Sequence, residues 1–220
     1  MPEVLFRFEK RLRAAYLSHL DVMRTFQRAF IRAGIRIRHS EGFNPHPKMS
    51  IALPLQLGCE SVCEVLDASV LDGPEDMAGA LNAALPEGIR VLAAGQPLRP
   101  VREIAWTEWS LRFPDDETAS EAETVFRLPS LPVEKKTKRG LGTLDIAPHI
   151  ELLAREGTEL RMLLRADSPT VNAGDLRKAL EGTLEKELPV RCLRLRLLTE
   201  NRETFQENVG LSMMCYTIQE

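Results

Sequence analysis

The chain has 220 residues, 44% of them hydrophobic and 28% charged, which is enough apolar material for one large core or two small ones and too much for a disordered chain. No apolar run approaches the roughly 20 residues of a membrane span, and the opening Met-Pro-Glu-Val-Leu-Phe-Arg-Phe lacks a signal-peptide layout, so no membrane contact and a cytoplasmic location are expected. The net charge of −3 hides a polarity: residues 1–50 hold ten Lys/Arg against four Asp/Glu, and residues 51–220 hold 19 against 28. A cationic region on an acidic body points to an anionic partner.

Val4–Phe8 alternates with period two and predicts a strand. Ser18 is placed as an N-cap, with Asp21 three residues on where a capping-box partner sits. Leu20, Met23, Phe26, Ala29, Phe30 and Ala33 form the apolar stripe of a helix that Gly34 ends. Ile35–Arg38, Met49–Leu57 and Val62–Val70 read as extended segments. Pro74 opens a helix with Met77, Leu81, Ala84 and Leu85 on its apolar side, and Ile89–Ala93 returns as a strand. The order β-α-β-β-α-β is the ferredoxin-like pattern.

Gln96-Pro97-Leu98-Arg99-Pro100 marks a boundary. Beyond it the sequence predicts a strand over Ile104–Phe113, with Trp106 and Trp109 as core or interface residues. An acidic helix over Asp115–Arg127 and an extended Pro132–Lys138 follow. A short helix over Ala147–Ala154 and a strand over Glu159–Ala166 come next. A helix over Ala173–Leu184 is capped by Asn172, and a last strand covers Val190–Leu198. Val209–Ile218 can pair as an edge strand. The expected architecture is α+β, two ferredoxin-like domains in tandem over residues 1–98 and 101–220.

Arg24, Arg28 and Arg32 recur at spacings of four and line one helical face, with Asp21 a turn earlier and Gln27 beside them. Such a row can track phosphates, because guanidinium is a planar bidentate donor. An ordinary solvated face with an Asp21–Arg24 pair is the competing reading, weakened by Arg36, Arg38 and Lys48 close by in sequence. In Gly42-Phe43-Asn44-Pro45-His46-Pro47-Lys48 the two prolines push Asn44 and His46 towards extended backbone. The loop presents Asn44, His46 and Lys48, groups that read base edges or hold phosphate. The alternative is an Ω-type loop that pins a strand, with His46 bonded to backbone. A second basic run, Lys135, Lys136, Lys138 and Arg139, suits a phosphate-contacting hairpin or a merely solvated stretch.

His19, Asp21 and His46 are the candidates for catalysis: His19 as a general base on a 2′-hydroxyl with His46 as acid, or Asp21 as nucleophile. Asp21 reads equally as a cap or ion-pair partner. His19, His39 and His46 match no common metal spacing, and Cys59, Cys63, Cys192 and Cys215 form no knuckle, so no metal or cofactor is expected and the thiols are expected to be free. No Walker loop, GxGxxG, HExxH or GxSxG element is present.

The segments SHLDVMRTFQRA and RAGIRIRHSEGFNPHPKMSIALPLQLGCES, followed by Glu64 and later by VEKKTKRGLGTLDI, resemble the bacterial radical-SAM-linked protein family, a domain family of unknown function. The resemblance covers most of the chain. It implies an accessory protein to a cobalamin-binding radical SAM enzyme in RNA or ribosome biology, and it supplies no catalytic residue. The expectation is therefore a non-catalytic RNA-binding accessory protein, its partners a structured tRNA or rRNA and the radical SAM enzyme. The alternatives are an RNA-acting enzyme, ribonuclease-like or pseudouridine-synthase-like, and a protein-docking module without RNA contact.

Overall fold

In the computed structural model, which describes residues 3–137 and 140–205, the chain is α+β and divides into two units. The first takes Met1–Leu57 and Ser61–Val101; the second takes Gly58–Glu60 and Arg102–Thr204.

The first unit opens with β1 (Glu3–Lys10), whose Val4, Phe6, Phe8 and Lys10 are all buried. β1 lies between β4 (Cys59–Asp72) and β5 (Ile89–Gly95), antiparallel to both. The far side of β4 takes two short strands, β2 (Arg36–Ile37) and β3 (Met49–Ile51). The strand expected over Met49–Leu57 stops at Ile51, shortly before Pro54, which has no amide to give a ladder.

Two helices, α1 (His19–Arg32) and α2 (Met77–Asn82), pack into one core with Phe6, Phe8, Leu66, Ala68, Val70 and Val91. Phe6 meets Phe30 and Phe8 meets Phe26 edge-on, at 5.3 and 4.9 Å between centroids, the geometry that ring quadrupoles favour. The buried residues of α1 are Val22, Phe26, Ala29 and Phe30, whereas Leu20 is 63% exposed. At about 100° per residue Leu20 falls about 120° from Phe26, off the apolar face, and Val22 only about 40°. Gly88 carries a φ of +88° where the chain turns into β5, and a Cβ there would lie 2.5 Å from the Arg11 carbonyl. The amide of Arg11 donates to the Gly88 carbonyl at 2.7 Å, so this close approach is part of the turn.

The second unit has the strand order β11 (Arg191–Leu198), β6 (Trp106–Arg112), β10 (Glu159–Arg165), β9 (Ile150–Glu156), each neighbour antiparallel. A separate hairpin pairs β7 (Pro132–Thr137) with β8 (Gly140–Asp145). The helices are α3 (Asp116–Phe126) and α4 (Ala173–Leu184), the latter closed by an Asn172–Asp175 capping box.

The helix expected over Ala147–Ala154 is a 3-10 turn, Ala147–His149, followed by β9. Ile150-Glu151-Leu152 alternates, and backbone pairing with β10 decides the conformation over a run too short to hold a helix by itself. Trp109 is buried, its Nε1 donating to Thr107 Oγ1 at 2.8 Å. Trp106 is flanked by the guanidiniums of Arg165 and Arg202, at 4.9 and 3.6 Å from its ring. Among the described residues no helix is long and apolar enough to cross a membrane. Val209–Ile218 lies outside the described residues.

Glu108 of β6 is 1% exposed and accepts hydrogen bonds from Arg161 and Arg196. Burial alone pushes its carboxyl up, but the bonds from Arg196 and Arg161 outweigh that and hold it below the ordinary 4.5. A depressed carboxylate stabilises the fold above its unfolded pKa, and that contribution is lost as pH falls through the folded value. Glu108→Gln is therefore expected to lower stability at neutral pH by on the order of 1–3 kcal/mol and to flatten the loss of stability below about pH 4.5. Urea midpoints measured across that range for both proteins check it. Parallel curves would mean that the two arginines contribute nothing through this carboxylate.

Candidate nucleic-acid interface

The loop over residues 39–47 leaves an edge strand and returns to it. The amide of Arg38 donates to the Ser69 carbonyl at 2.8 Å, and the amide of Ser69 donates to the Lys48 carbonyl at 3.0 Å. Arg38 and Lys48 thus share one rung of β4, and β2 and β3 are two halves of one edge strand. The neck is closed again by Lys48 N to Arg38 O at 2.7 Å, by the His39–Pro47 bridge, and by Ser40 N to His46 O at 2.8 Å. The Ser40 hydroxyl accepts from the His46 amide at 3.0 Å. Gly42 supplies a φ of +122°.

The tip is therefore braced at its base and solvated above it. Asn44, His46 and Lys48 are all exposed. His46 uses its backbone, not its ring, to brace the neck; the ring bonded to backbone belongs to His39, whose Nδ1 lies 3.1 Å from the Ile37 carbonyl. Phe43 is also exposed, a residue to which the sequence reading assigned no role.

The arginine row of α1 lies elsewhere on the same unit. Arg28 and Arg32, with Thr25, line a groove of about 440 Å³ against α2, floored by Ala80, Ala83 and Ala84. Helix α2 packs on β5, at the opposite edge of this sheet from the loop. Arg32 donates to the Ala84 carbonyl at 2.7 Å, so one guanidinium of the row closes the end of α2. Arg28 is exposed. Arg24 stands 3.7 Å from Asp21, Arg36 3.5 Å from Asp72, and Arg38 3.4 Å from Glu41. In these three pairs the side chains are between 38% and 91% exposed, and pairs so solvated are readily exchanged for phosphate.

In the second unit Lys135 is committed: its Nζ donates to Asp175 Oδ2 at 2.8 Å and to the Thr170 carbonyl. Asp175 is buried within the capping box of α4, so this pair holds the β7–β8 hairpin to the helix. Lys136 is described through its backbone, paired opposite Leu141. Lys138 and Arg139 lie outside the described residues.

The catalytic candidates occupy the start of α1. Ser18 caps the helix: the Asp21 amide donates to its Oγ at 3.2 Å, and its hydroxyl donates to Asp21 Oδ2 at 2.6 Å. That hydroxyl, with Arg24 helping, holds the Asp21 carboxyl below the ordinary 3.8. A carboxylate so engaged braces the Ser18 cap first. His19 is half-buried and lines a cavity of about 10 Å³, near the size of one water, together with Lys10, Glu64, Phe8, Val22, Ile51 and Leu55.

Lys10 and Glu64 are each 2% exposed. Lys10 Nζ donates to the Ala15 carbonyl at 3.1 Å and the Leu17 carbonyl at 3.0 Å, fixing the turn that delivers Ser18 and His19. Sequence reading missed Lys10 because it sits in a run of basic residues, Lys10-Arg11-Leu12-Arg13, that looks solvated. The only signal was its parity with Val4, Phe6 and Phe8.

Among the described residues no three His, Cys, Asp or Glu side chains are grouped to hold a metal. Cys59, Cys63 and Cys192 are free thiols. A hydrogen bond with Cys59, followed by burial, pushes the Cys192 thiol far up, which keeps it from acting as a nucleophile. Cys215 lies outside the described residues.

Lys10→Met keeps the length of the side chain but leaves the Ala15 and Leu17 carbonyls without their donor. It is expected to cost on the order of 2–4 kcal/mol, read as a lower urea midpoint. An unchanged midpoint would show that the turn before α1 holds without it.

The chain aligns with a chain of the crystal structure of a Cbf5-Nop10-Gar1 complex at 12% identity and a TM-score of 0.43, over 88% of this chain and 48% of that one. It thus spans about half of that chain's length. It aligns with the acetolactate synthase small subunit from Thermotoga maritima at 15% identity and a TM-score of 0.22, over 88% of this chain and 94% of that one. Similarity at this level bears on neither fold nor function. No curated protein matches the chain. Residues 3–173 match the family described as an uncharacterized protein conserved in bacteria (DUF2344), and the chain belongs to that family.

Proposed function

We propose that this protein is a non-catalytic RNA-binding accessory protein that works with a radical SAM enzyme in RNA modification or ribosome biology. The observation that carries the RNA-binding part is the braced loop. A nine-residue excursion (residues 39–47) from an edge strand is tied at its neck by three backbone contacts and flanked by Arg38 and Lys48, with Asn44 and His46 exposed. A loop ordered before binding loses little entropy on binding, so its donors act at full strength.

Arg28, with Arg24 and Arg32, forms a second zone on α1, and Arg36 extends the cationic surface. In the second unit, Lys136, Lys138 and Arg139 remain the proposed contacts. Lys135 acts there by holding the hairpin to α4. We read each unit as a ferredoxin-like domain, with the bounds 1–98 and 101–220 taken from the sequence; the strand orders within the units support this reading, the second unit being enlarged by the β7–β8 hairpin. The association with a radical SAM enzyme, like a cytoplasmic location, rests on the family resemblance of the sequence motifs.

Binding carried by phosphate contacts weakens with salt, with a slope in log K against log salt of about −0.7 per neutralised phosphate for single strands and about −0.9 for duplex. The doubly substituted Arg28→Ala, Lys48→Ala protein is expected to lose roughly one to two units of that slope. Anisotropy titrations with total cellular RNA at several KCl concentrations measure it. A salt-insensitive complex sinks the reading, and a protein that binds no RNA shifts the assignment to docking on the radical SAM enzyme alone.

The cavity joining His19 to Lys10 and Glu64 favours a second reading, an RNA-acting enzyme in which His19 is the base and His46 or Asp21 assists. Purified protein would then turn over RNA, and His19→Ala would abolish turnover with binding retained. RNA that is bound but comes through incubation with the wild-type protein unchanged rules it out.

A further inference from the structure

Phe43 is 113% exposed, more open than the same residue in an extended reference chain. The first unit does not lack places for aromatic rings: Phe6, Phe8, Phe26 and Phe30 are all at 0–1% exposure. The loop that bears Phe43 is nevertheless braced, by Ser40 N to His46 O at 2.8 Å, His46 N to Ser40 Oγ at 3.0 Å and Lys48 N to Arg38 O at 2.7 Å, with prolines at 45 and 47. Gly42 meets nothing within 4 Å of where a Cβ would stand. Its role is the backbone angle that turns the chain immediately before the ring. A rigid support holding an apolar ring in water is a surface awaiting a flat partner.

We infer that Phe43 is a stacking platform for an unpaired base, so that the RNA engaged by this loop is single-stranded there; the inference rests on the RNA-binding reading above. Every base offers a π face, and stacking on an aromatic side chain is strong and tolerant of sequence. In an A-form duplex those faces are hidden in the stack, and an exposed ring finds them only in loops, bulges and ends. The surroundings decide between a base and an apolar pocket on a protein. Lys48 and Arg38 stand at the neck, Glu41 is the single carboxylate within the loop, and Asn44 and His46 are exposed in the same loop as the ring. Cations, edge-reading polar groups and one free ring together suit a nucleotide, which has a phosphate, base edges and a base face.

The test uses the full chain and two probes: a short single-stranded RNA carrying one 2-aminopurine, and the same sequence as a duplex. Stacking is expected to quench the 2-aminopurine. Phe43→Ala is expected to weaken single-strand binding roughly 5- to 150-fold, with duplex binding and the salt slope unchanged. Phe43→Trp is expected to retain affinity. Lys48→Ala is expected to do the reverse, reducing the slope by about 0.7 and leaving the quench in the bound state. A thermal midpoint equal to wild type confirms that Phe43→Ala is folded. If wild type binds the single strand and Phe43→Ala binds it equally well, the stacking role is overturned and the RNA-binding reading stands. Equal weakening on both probes also overturns it. If wild type binds neither probe, both fall together.

Discussion

The rung at Ser69 is the constraint on which the candidate site depends. An edge strand interrupted by nine residues would ordinarily fray, because its two stubs, Arg36–Ile37 and Met49–Ile51, are each too short to pair stably. Ser69 joins them by accepting from the amide of Arg38 and donating to the carbonyl of Lys48. The direct bond from Lys48 N to Arg38 O then makes the interruption a closed neck. Once the neck is closed, the residues inside it need no core of their own. That is why Phe43, Asn44 and His46 can all face solvent on an ordered backbone.

The same unit spends buried polarity on orientation. Lys10 is placed on the core side of β1, at an irregularity in its pairing with β4 between Phe8 and Lys10, and its Nζ is satisfied by the carbonyls of Ala15 and Leu17. An apolar residue there would pack as well and leave those carbonyls without a donor. The lysine instead fixes where α1 begins, and with it the positions of Ser18, His19 and Asp21. In the second unit, Glu108 takes Arg161 and Arg196, Glu123 takes Arg127 and Arg155, Asp167 takes Arg165, and Asp175 takes Lys135. Arginines and lysines so committed stabilise a sheet and its helices and are poorly placed to leave for a ligand.

Local signals in the sequence were legible where one element decides its own fate. The Ser18 cap, the Asn172 cap and the strand over β1 are set by residues within a few positions of one another. The motif Gly42–Lys48 was legible as a constrained loop, because proline and glycine act on the backbone locally. What was not legible depends on partners far along the chain. Nothing in residues 36–51 shows that Ser69 will join Arg38 to Lys48. Nothing near Lys10 shows that Glu64 lies across the sheet. The exchange of roles between His39 and His46 has the same origin: which imidazole meets a carbonyl is decided by the neck, and the neck is tertiary. The helix expected over Ala147–Ala154 gives way to a strand from Ile150, because pairing with β10, distant in its effect from any local signal, decides the conformation.

The separation of charge from ring in the loop has a mechanical consequence. Lys48 and Arg38 are fixed at the neck, whereas Phe43 stands at the tip, five residues from either. Electrostatic attraction acts over about a Debye length, some 8–10 Å at ordinary salt, while stacking acts only on contact. On the RNA-binding reading proposed above, a polyanion would be drawn to the neck before any base met the ring. Charge would set how fast and at what salt the encounter happens, and the ring would set whether it persists. A duplex would satisfy the first and not the second; a single strand would satisfy both. On that proposal, preference for unpaired RNA needs no base-specific hydrogen bond, only that the neck stay closed and hold the ring in water until a base reaches it.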